Sequence, residues 1–239
     1  MTTPDVVYIV GPHAETCEEL RYSLRSVAEN LPHGKVWIVG TVPSWARNVE
    51  KIELDPASMT FGEAWFLPLH AAVSHPALSE TFVFMNDDFF FVEPVEFPIP
   101  VIHVGPVLEY LDLIEAASPG ELRKHWVRAM CSGVEVFGGN PNCYETHTPL
   151  HFDKARLRAV MDGYPSGVPF NVTAVYHLAS AGGEGRRGLN VKFGAGRFDE
   201  TAPYLSTSDQ SFESEAIGRH LRALFPRPCR YEAVQKKRS

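Results

Sequence analysis

The stretch Thr81-Phe-Val-Phe-Met-Asn-Asp-Asp-Phe-Phe-Phe-Val92 decides how the rest of the chain is read. Phe82, Val83, Phe84 and Met85 form an unbroken apolar run, as expected of a strand buried on both faces in a parallel sheet. The run stops at Asn86-Asp87-Asp88 and resumes at once with Phe89-Phe90-Phe91. Two adjacent carboxylates in such apolar surroundings are costly to bury unless something pairs with them. A divalent cation is the simplest partner. Hard oxygen ligands suit Mg2+ or Mn2+, which keep several waters and bridge to substrate phosphates. In open α/β sheets ligands gather at the carboxyl ends of strands, where this pair falls. The plainer alternative is a solvated turn between two strands.

Upstream, Asp5 to Val10 reads as a first strand ending at Gly11-Pro12. Thr16 and Glu19 have capping-box spacing, and Leu20, Leu24, Val27 and Leu31 recur at helical intervals until Pro32 and Gly34. Lys35 to Val39 and Val49 to Leu54 read as second and third strands, so strand, helix and strand form a right-handed βαβ unit. Thr60 and Glu63 open another helix, which Pro68 kinks or restarts. The order implies an α/β fold with a mainly parallel central sheet. With 239 residues, 44% of them hydrophobic, and no linker-like segment, the chain reads as one domain over 1–235 and a polar tail at 236–239.

The charge balance, 22 basic against 29 acidic residues for a net −7, speaks against a general nucleic-acid surface. A phosphate-bearing ligand then needs a local basic cluster or a metal. Cys17, Cys131, Cys143 and Cys229 have no metal-site spacing and fit reduced thiols in a cytoplasmic protein. Val6 to Val10 lacks the basic flank of a signal peptide, and no stretch is long enough to span a membrane.

Downstream, Pro94, Pro98 and Pro100 leave only an extended or edge segment over Val95 to Val104. Val107 to Ala117 reads as a helix. Ser118-Pro119-Gly120-Glu121 caps the next, which runs to about Met130. Asp153 to Met161 and Asn171 to Ser180 read as short helices. A last helix over Ser208 to Phe225 buries Phe212, Ile217, Leu221 and Leu224.

Several residues stand out as candidates. His147, in Glu145-Thr-His147-Thr-Pro149, sits in a turn before a helix and suits a general base for a hydroxyl proton, or is simply bonded within the turn. Arg21 and Arg25 lie four apart on one helix face and either meet phosphates or face solvent. Gly182 to Arg197 is glycine-rich and carries Arg186, Arg187, Lys192 and Arg197. It suits a phosphate-binding lid or a mobile surface loop. Ser206-Thr-Ser-Asp209 precedes the last helix as an N-cap.

Five blocks together resemble one family. Asp5-Val-Val-Tyr8 and Glu19-Leu-Arg-Tyr-Ser-Leu-Arg-Ser-Val27 are similar to the opening of the Stealth proteins, the bacterial capsular-polysaccharide phosphotransferases and the lysosomal-enzyme N-acetylglucosamine-1-phosphotransferase. Phe82 to Phe90, His147-Thr-Pro149, and Tyr204 to Asp209 with Leu224 to Pro228 resemble their later blocks. The resemblance implies a GT-A-like three-layer α/β/α fold, a divalent metal (Mn2+ or Mg2+), a nucleotide-sugar donor such as a UDP-sugar, and a hydroxyl acceptor on a glycan or protein. The acceptor attacks the β-phosphate and a nucleoside monophosphate leaves. Carried over, Asp87 and Asp88 hold the metal and diphosphate and Asn86 orients them. His147 acts on the hydroxyl or the phosphate, Arg21 and Arg25 support the donor, and Asp209 borders the cleft.

The chain departs from that pattern. Pro169-Phe170 stands where an arginine is expected before Asn171, and Ser208 where an asparagine precedes Asp209. The alternatives are therefore a simple glycosyltransferase releasing a nucleoside diphosphate, a non-catalytic carbohydrate- or nucleotide-binding module, and a metal-dependent hydrolase of the donor.

Overall fold

The computed structural model describes residues 3–54, 59, 63–117, 125–138, 142–179 and 185–233. Thr60, the Ser118 to Glu121 cap, Gly182 and the 236–239 tail lie outside them. The apolar run Asp5–Val10 is strand β1, and it pairs in parallel with β2 (Val36–Gly40) on one side and β4 (Thr81–Met85) on the other. Strand β3 (Glu50–Glu53) extends the sheet in parallel beyond β2. Strand β7 (Leu150–Asp153) closes the other edge antiparallel to β4, giving the order β3-β2-β1-β4-β7. The expected mainly parallel sheet is present.

Alternation along β1 sorts its side chains into two layers. Val6, Tyr8 and Val10 pack with Leu20, Leu24 and Val27 of helix α1 (Glu18–Asn30). Val7 faces the opposite core with Trp37 and Val39, against Leu69 and Val73 of α2 (Glu63–Ser74) and Leu157 of α5 (Lys154–Asp162). Helix on sheet on helix is the three-layer α/β/α arrangement. Pro68 lies inside α2, which continues past it as a single helix.

The first helix is capped differently from its sequence reading. Cys17 is the N-cap, with its Sγ 3.4 Å from the Leu20 N–H, while the Thr16 hydroxyl donates back to the His13 carbonyl at 3.2 Å. A turn over residues 12–16 delays the helix by one residue, and Glu19 is freed to point inward.

Beyond Asp88 the chain leaves the central sheet. Strand β5 (Phe89–Phe91) pairs antiparallel with β10 (Tyr204–Thr207), and β9 (Lys192–Phe193) runs parallel on β10's far side. Strands β6 (Ile102–His103) and β8 (Arg186–Arg187) form a separate parallel pair. Helices α3 (Val107–Ala117) and α4 (His125–Phe137) follow β6, and α6 (Val172–Leu178) is capped by the Asn171 side chain. The last helix is two, α7 (Asp209–Ser214) and α8 (Ala216–Leu224), broken at Glu215, and Leu224 is 38% exposed rather than part of the buried stripe.

Gly218 lets α8 lie against α7: a Cβ there would stand 1.7 Å from the Phe212 carbonyl oxygen. Backbone cannot yield as a flexible side chain can. Gly218→Ala is therefore expected to destabilise the fold by about 1–3 kcal/mol, as overpacking does, in a denaturant titration. An unchanged midpoint would show that the two helices do not pack this closely.

Candidate functional site

From β1 the chain runs through α1 to β2 and on to β3 on one side, and α2 then carries it back across to β4 on the other side of β1. That is the switch point at which open α/β sheets bind ligands, outside the carboxyl ends of the strands. Asn86-Asp87-Asp88 follows β4 there, in a turn closed by the Phe89 N–H on the Asn86 carbonyl at 3.3 Å.

The small second sheet sets what faces this turn. Its register places Ser206 opposite both Phe89 and Lys192. As a result the Ser206 hydroxyl donates to Asp88 Oδ2 at 3.2 Å, the Lys192 ammonium pairs with the same oxygen, and the Thr207 N–H donates to the Asp88 carbonyl at 3.2 Å. Lys192 is therefore the counter-ion of Asp88, and its strand pairing makes residues 192–193 part of a sheet rather than of a mobile loop.

Asp87, one residue earlier in the turn, has different partners. The Cys17 thiol donates to its Oδ2 at 3.5 Å, and with Glu19 and Asp209 it lines a cleft of about 530 Å³. Burial, then the neighbouring Asp88, pushes Asp87 up to about 6. Glu19 is buried beneath Thr207, whose hydroxyl donates to it. Burial holds Glu19 well above the usual carboxylate range, and Asp88 and Asp209 add to it. Burial and then Asp87 also push the Cys17 thiol up to about 12, so it stays protonated and serves as donor.

His147 sits in a turn with φ 53°, before strand β7 and not before a helix. Asn190 fixes its tautomer. The Asn190 amide NH2 donates to the Glu145 carbonyl and the Tyr110 hydroxyl, both at 3.1 Å, which leaves Oδ1 as the acceptor. That oxygen lies 2.9 Å from His147 Nδ1, so the neutral ring carries its proton on Nδ1 and a lone pair on Nε2. Nε2 lies 3.7 Å from Glu145 Oε1, and Glu145 is itself held by Asn171 at 3.0 Å and Thr173 at 3.2 Å. A ring held this way can take a proton on Nε2, with a carboxylate beside the imidazolium that results.

One cleft of about 520 Å³ brings together Asn86, Asp88, Glu145, His147 and Lys192. Asn86 Oδ1 is buried with no hydrogen-bond donor among the described residues. Asp87 and Asp209 line the neighbouring cleft. Arg21 and Arg25 lie in neither. Both bind Glu232, Arg25 through Nε and Nη2 at 2.7 and 2.8 Å, and they line a third cleft with it. Arg186 and Arg187 are exposed on β8 and line none of the clefts. The sequence reading of these four arginines as donor ligands therefore differs from their placement: Glu232 engages Arg21 and Arg25, and β8 leaves the Arg186 and Arg187 side chains exposed outside the lining of these clefts.

Glu145, Asn190, Glu19, Ser206 and Thr207 join the site without having been singled out. Glu145 and Ser206-Thr207 stood in segments already marked by His147 and Asp209. Glu19 was read as a helix cap, and Asn190 lay within the glycine-rich 182–197 stretch without being singled out.

His147→Asn is expected to keep the fold, since asparagine tolerates positive φ, and to lower any proton-transfer-dependent rate by about 10²–10⁴-fold. Rate and melting temperature of the same preparation check this. A full rate with an unchanged fold would remove His147 from the chemistry.

No family model matches the chain. It is 26% identical over 180 residues to the exopolysaccharide phosphotransferase of Nocardia farcinica, an alignment covering 68% of this chain and 35% of that protein. The chain thus spans about a third of the length of the relative it matches. Among solved structures, the glycosyltransferase GlyE of Streptococcus pneumoniae aligns over 95% of this chain and 50% of its own, at 8% identity and a TM-score of 0.37, too distant to bear on fold or function. No helix among the described residues is long and apolar enough to cross a membrane.

Proposed function

We propose that the chain carries the catalytic centre of a metal-dependent transferase that moves a glycosyl-1-phosphate group from a nucleotide sugar, such as a UDP-sugar, to a hydroxyl acceptor on a glycan or protein. The observation that carries this is the single cleft at the switch point that holds Asn86, Asp88, Lys192 and the oriented His147. The name of the Nocardia farcinica relative and the Stealth-like sequence blocks point the same way. A GT-A-like, cytoplasmic, one-domain protein is part of the same reading.

His147 Nε2 takes the proton of the acceptor hydroxyl. The hydroxyl oxygen bonds to the β-phosphorus, the bond from that phosphorus to the bridging oxygen breaks, and nucleoside monophosphate departs with the electron pair. Glu145 stabilises the imidazolium. Lys192 places a positive charge at the rim of the cleft, where the transferring phosphoryl group concentrates negative charge.

The donor set fits a divalent cation. Glu19 and Asp87 both feel the charges of Asp88 and Asp209, Lys192 pairs with Asp88, and Asn86 offers an amide oxygen with no donor among the described residues. No group of three or more His, Cys, Asp or Glu forms a ready cage among the described residues. Mg2+ and Mn2+ bound through one or two carboxylates and substrate phosphate need none. Asp87 and Asp88 with Asn86 would hold the ion, which supplies charge neutralisation of the diphosphate.

Asp87 gives a pH-dependent test. Its folded value of about 6 exceeds the ordinary 3.8, so its stabilising contribution is full below 3.8 and is lost as pH rises through 6. A bound cation removes that loss. Mn2+ is therefore expected to raise the melting temperature more at pH 8 than at pH 5, by several degrees at saturation. An equal or absent shift would count against Asp87 as a ligand.

Simple glycosyl transfer differs only in the atom attacked. Incubating nucleotide sugars with Mn2+ or Mg2+ and hydroxyl acceptors tests the proposal. Acceptor-dependent release of nucleoside monophosphate supports it, release of nucleoside diphosphate points to simple glycosyl transfer instead, and no release from any donor sinks both.

A further inference from the structure

We infer that the groove lined by α2, the end of α5 and residues 164–170 continues the acceptor side of the cleft and receives a neutral glycan of at least two sugar rings. This rests on the transferase reading above, in which a hydroxyl is delivered to His147.

The groove has a volume of about 720 Å³, within the range of ligand clefts at about 300–1,000 Å³. Phe170 and Ala129 line both it and the cleft that holds His147, so the two spaces share a wall. Phe170 is fixed there by edge-on contacts to Phe66 at 5.1 Å and Tyr164 at 5.3 Å. Trp65 and Phe66 are consecutive on α2. The first lines the cleft and the second the groove, both half-buried, with Leu67 beyond them 41% exposed. The path from His147 outward is thus a run of apolar faces of the kind on which the C–H faces of sugar rings settle. At the rim, His70 Nε2 and Asp162 Oδ1 lie 3.0 Å apart and offer polar groups to hydroxyls.

Charge selects the class of glycan. No lysine or arginine lines the groove among the described residues, whereas Glu63 and Asp162 do. Arg158 reaches Asp162 at 3.6 Å from outside the lining. A uronate polymer or a polyprenyl phosphate would meet carboxylates and, among the described residues, no lining lysine or arginine. An uncharged saccharide meets aromatic faces and hydrogen-bonding groups.

The test is calorimetric titration of the full chain, without nucleotide, with neutral gluco-, manno-, galacto- and N-acetylglucosamine tetrasaccharides and their monosaccharides. A tetrauronate and a short polyprenyl phosphate are the contrasts. At least one neutral tetrasaccharide is expected to bind about tenfold more tightly than its monosaccharide. Leu67→Asp and Phe66→Ala should each weaken it by about tenfold or more. Leu67 is exposed, so its variant keeps the test decisive if Phe66→Ala fails to fold. Tightest binding of the uronate or the polyprenyl phosphate overturns the inference. So does neutral binding untouched by both substitutions, or no binding at all. Nucleotide release by the wild-type chain is followed in parallel. Release without tetrasaccharide binding removes the groove alone, and binding without release upholds the groove while removing the transferase reading.

Discussion

Asp88→Asn is expected to lower transfer by about 10²–10³-fold, the scale of losing one preorganised charge at a reacting centre. Asparagine keeps the shape of the side chain and can still accept from Ser206. It no longer neutralises Lys192 and offers a cation no charge. The melting temperature should fall only modestly, because the cost is that of one charged hydrogen bond, about 1–3 kcal/mol. Rate and stability therefore separate. If Asp88 only tied the turn after β4 to Lys192 of the second sheet, Asp88→Asn would unfold sooner and, while folded, turn over at the wild-type rate. Lys192→Met gives the converse control. It leaves the Asp88 carboxylate buried without its ammonium and is expected to destabilise the protein while strengthening its response to divalent cations.

The second large effect lies away from the chemistry. Arg25→Ala is expected to cost about 3 kcal/mol, the low end of what breaking half a buried pair costs. The Arg25 side chain is 11% exposed and that of Glu232 3%. Its guanidinium also donates to the Phe225 carbonyl at 2.9 Å and lies over the Tyr22 ring. Removing it leaves Glu232 with Arg21 at 3.4 Å as its remaining guanidinium partner. For a chain of this size that loss corresponds to roughly 6–12 °C in melting temperature, and the KM for nucleotide sugar should not move in the folded protein. A donor-binding Arg25 would do the reverse, raising KM at constant stability. Burial alone would raise the Glu232 carboxyl, but Arg25 and the Cys229 N–H outweigh it and hold it below its ordinary 4.5. The stabilising contribution is thus present above pH 4.5 and lost as pH falls through the depressed value. Arg25→Ala should therefore flatten the acid limb of the stability profile.

These two substitutions mark where the sequence was legible. The apolar run into Asn86-Asp87-Asp88 named both a buried strand and the polar turn that ends it at the switch point, because a strand covered on both faces is apolar throughout. Helical spacing correctly put Arg21 and Arg25 on one face. What that face meets was not legible, since Glu232 lies 207 residues from Arg25 along the chain.

Strand β10 was missed because Ser206 and Thr207 look like loop residues, yet both are fully buried and are satisfied by Asp88 and Glu19. Strand β7 was missed, and only its last residue was read, as a helix start, because Asp153 ends the strand and caps α5 in one position. The single long final helix was a fair reading of Phe212, Ile217 and Leu221, all buried. The extended backbone at Glu215 breaks it in two, and Gly218 lets the second helix fold back on the first. Asn190, which sets the proton on His147, has no local pattern at all, because its role exists only through contacts 43 and 45 residues away in sequence.

The central claim is that this cleft delivers a hydroxyl to the β-phosphorus of a nucleotide sugar. Phosphorus NMR of the products from a UDP-sugar, Mn2+ and a neutral oligosaccharide tests it most directly. UMP together with a new phosphodiester is expected, both falling away in His147→Asn and Asp88→Asn. UDP with no phosphodiester, or no phosphorus product from the wild-type chain, would contradict it.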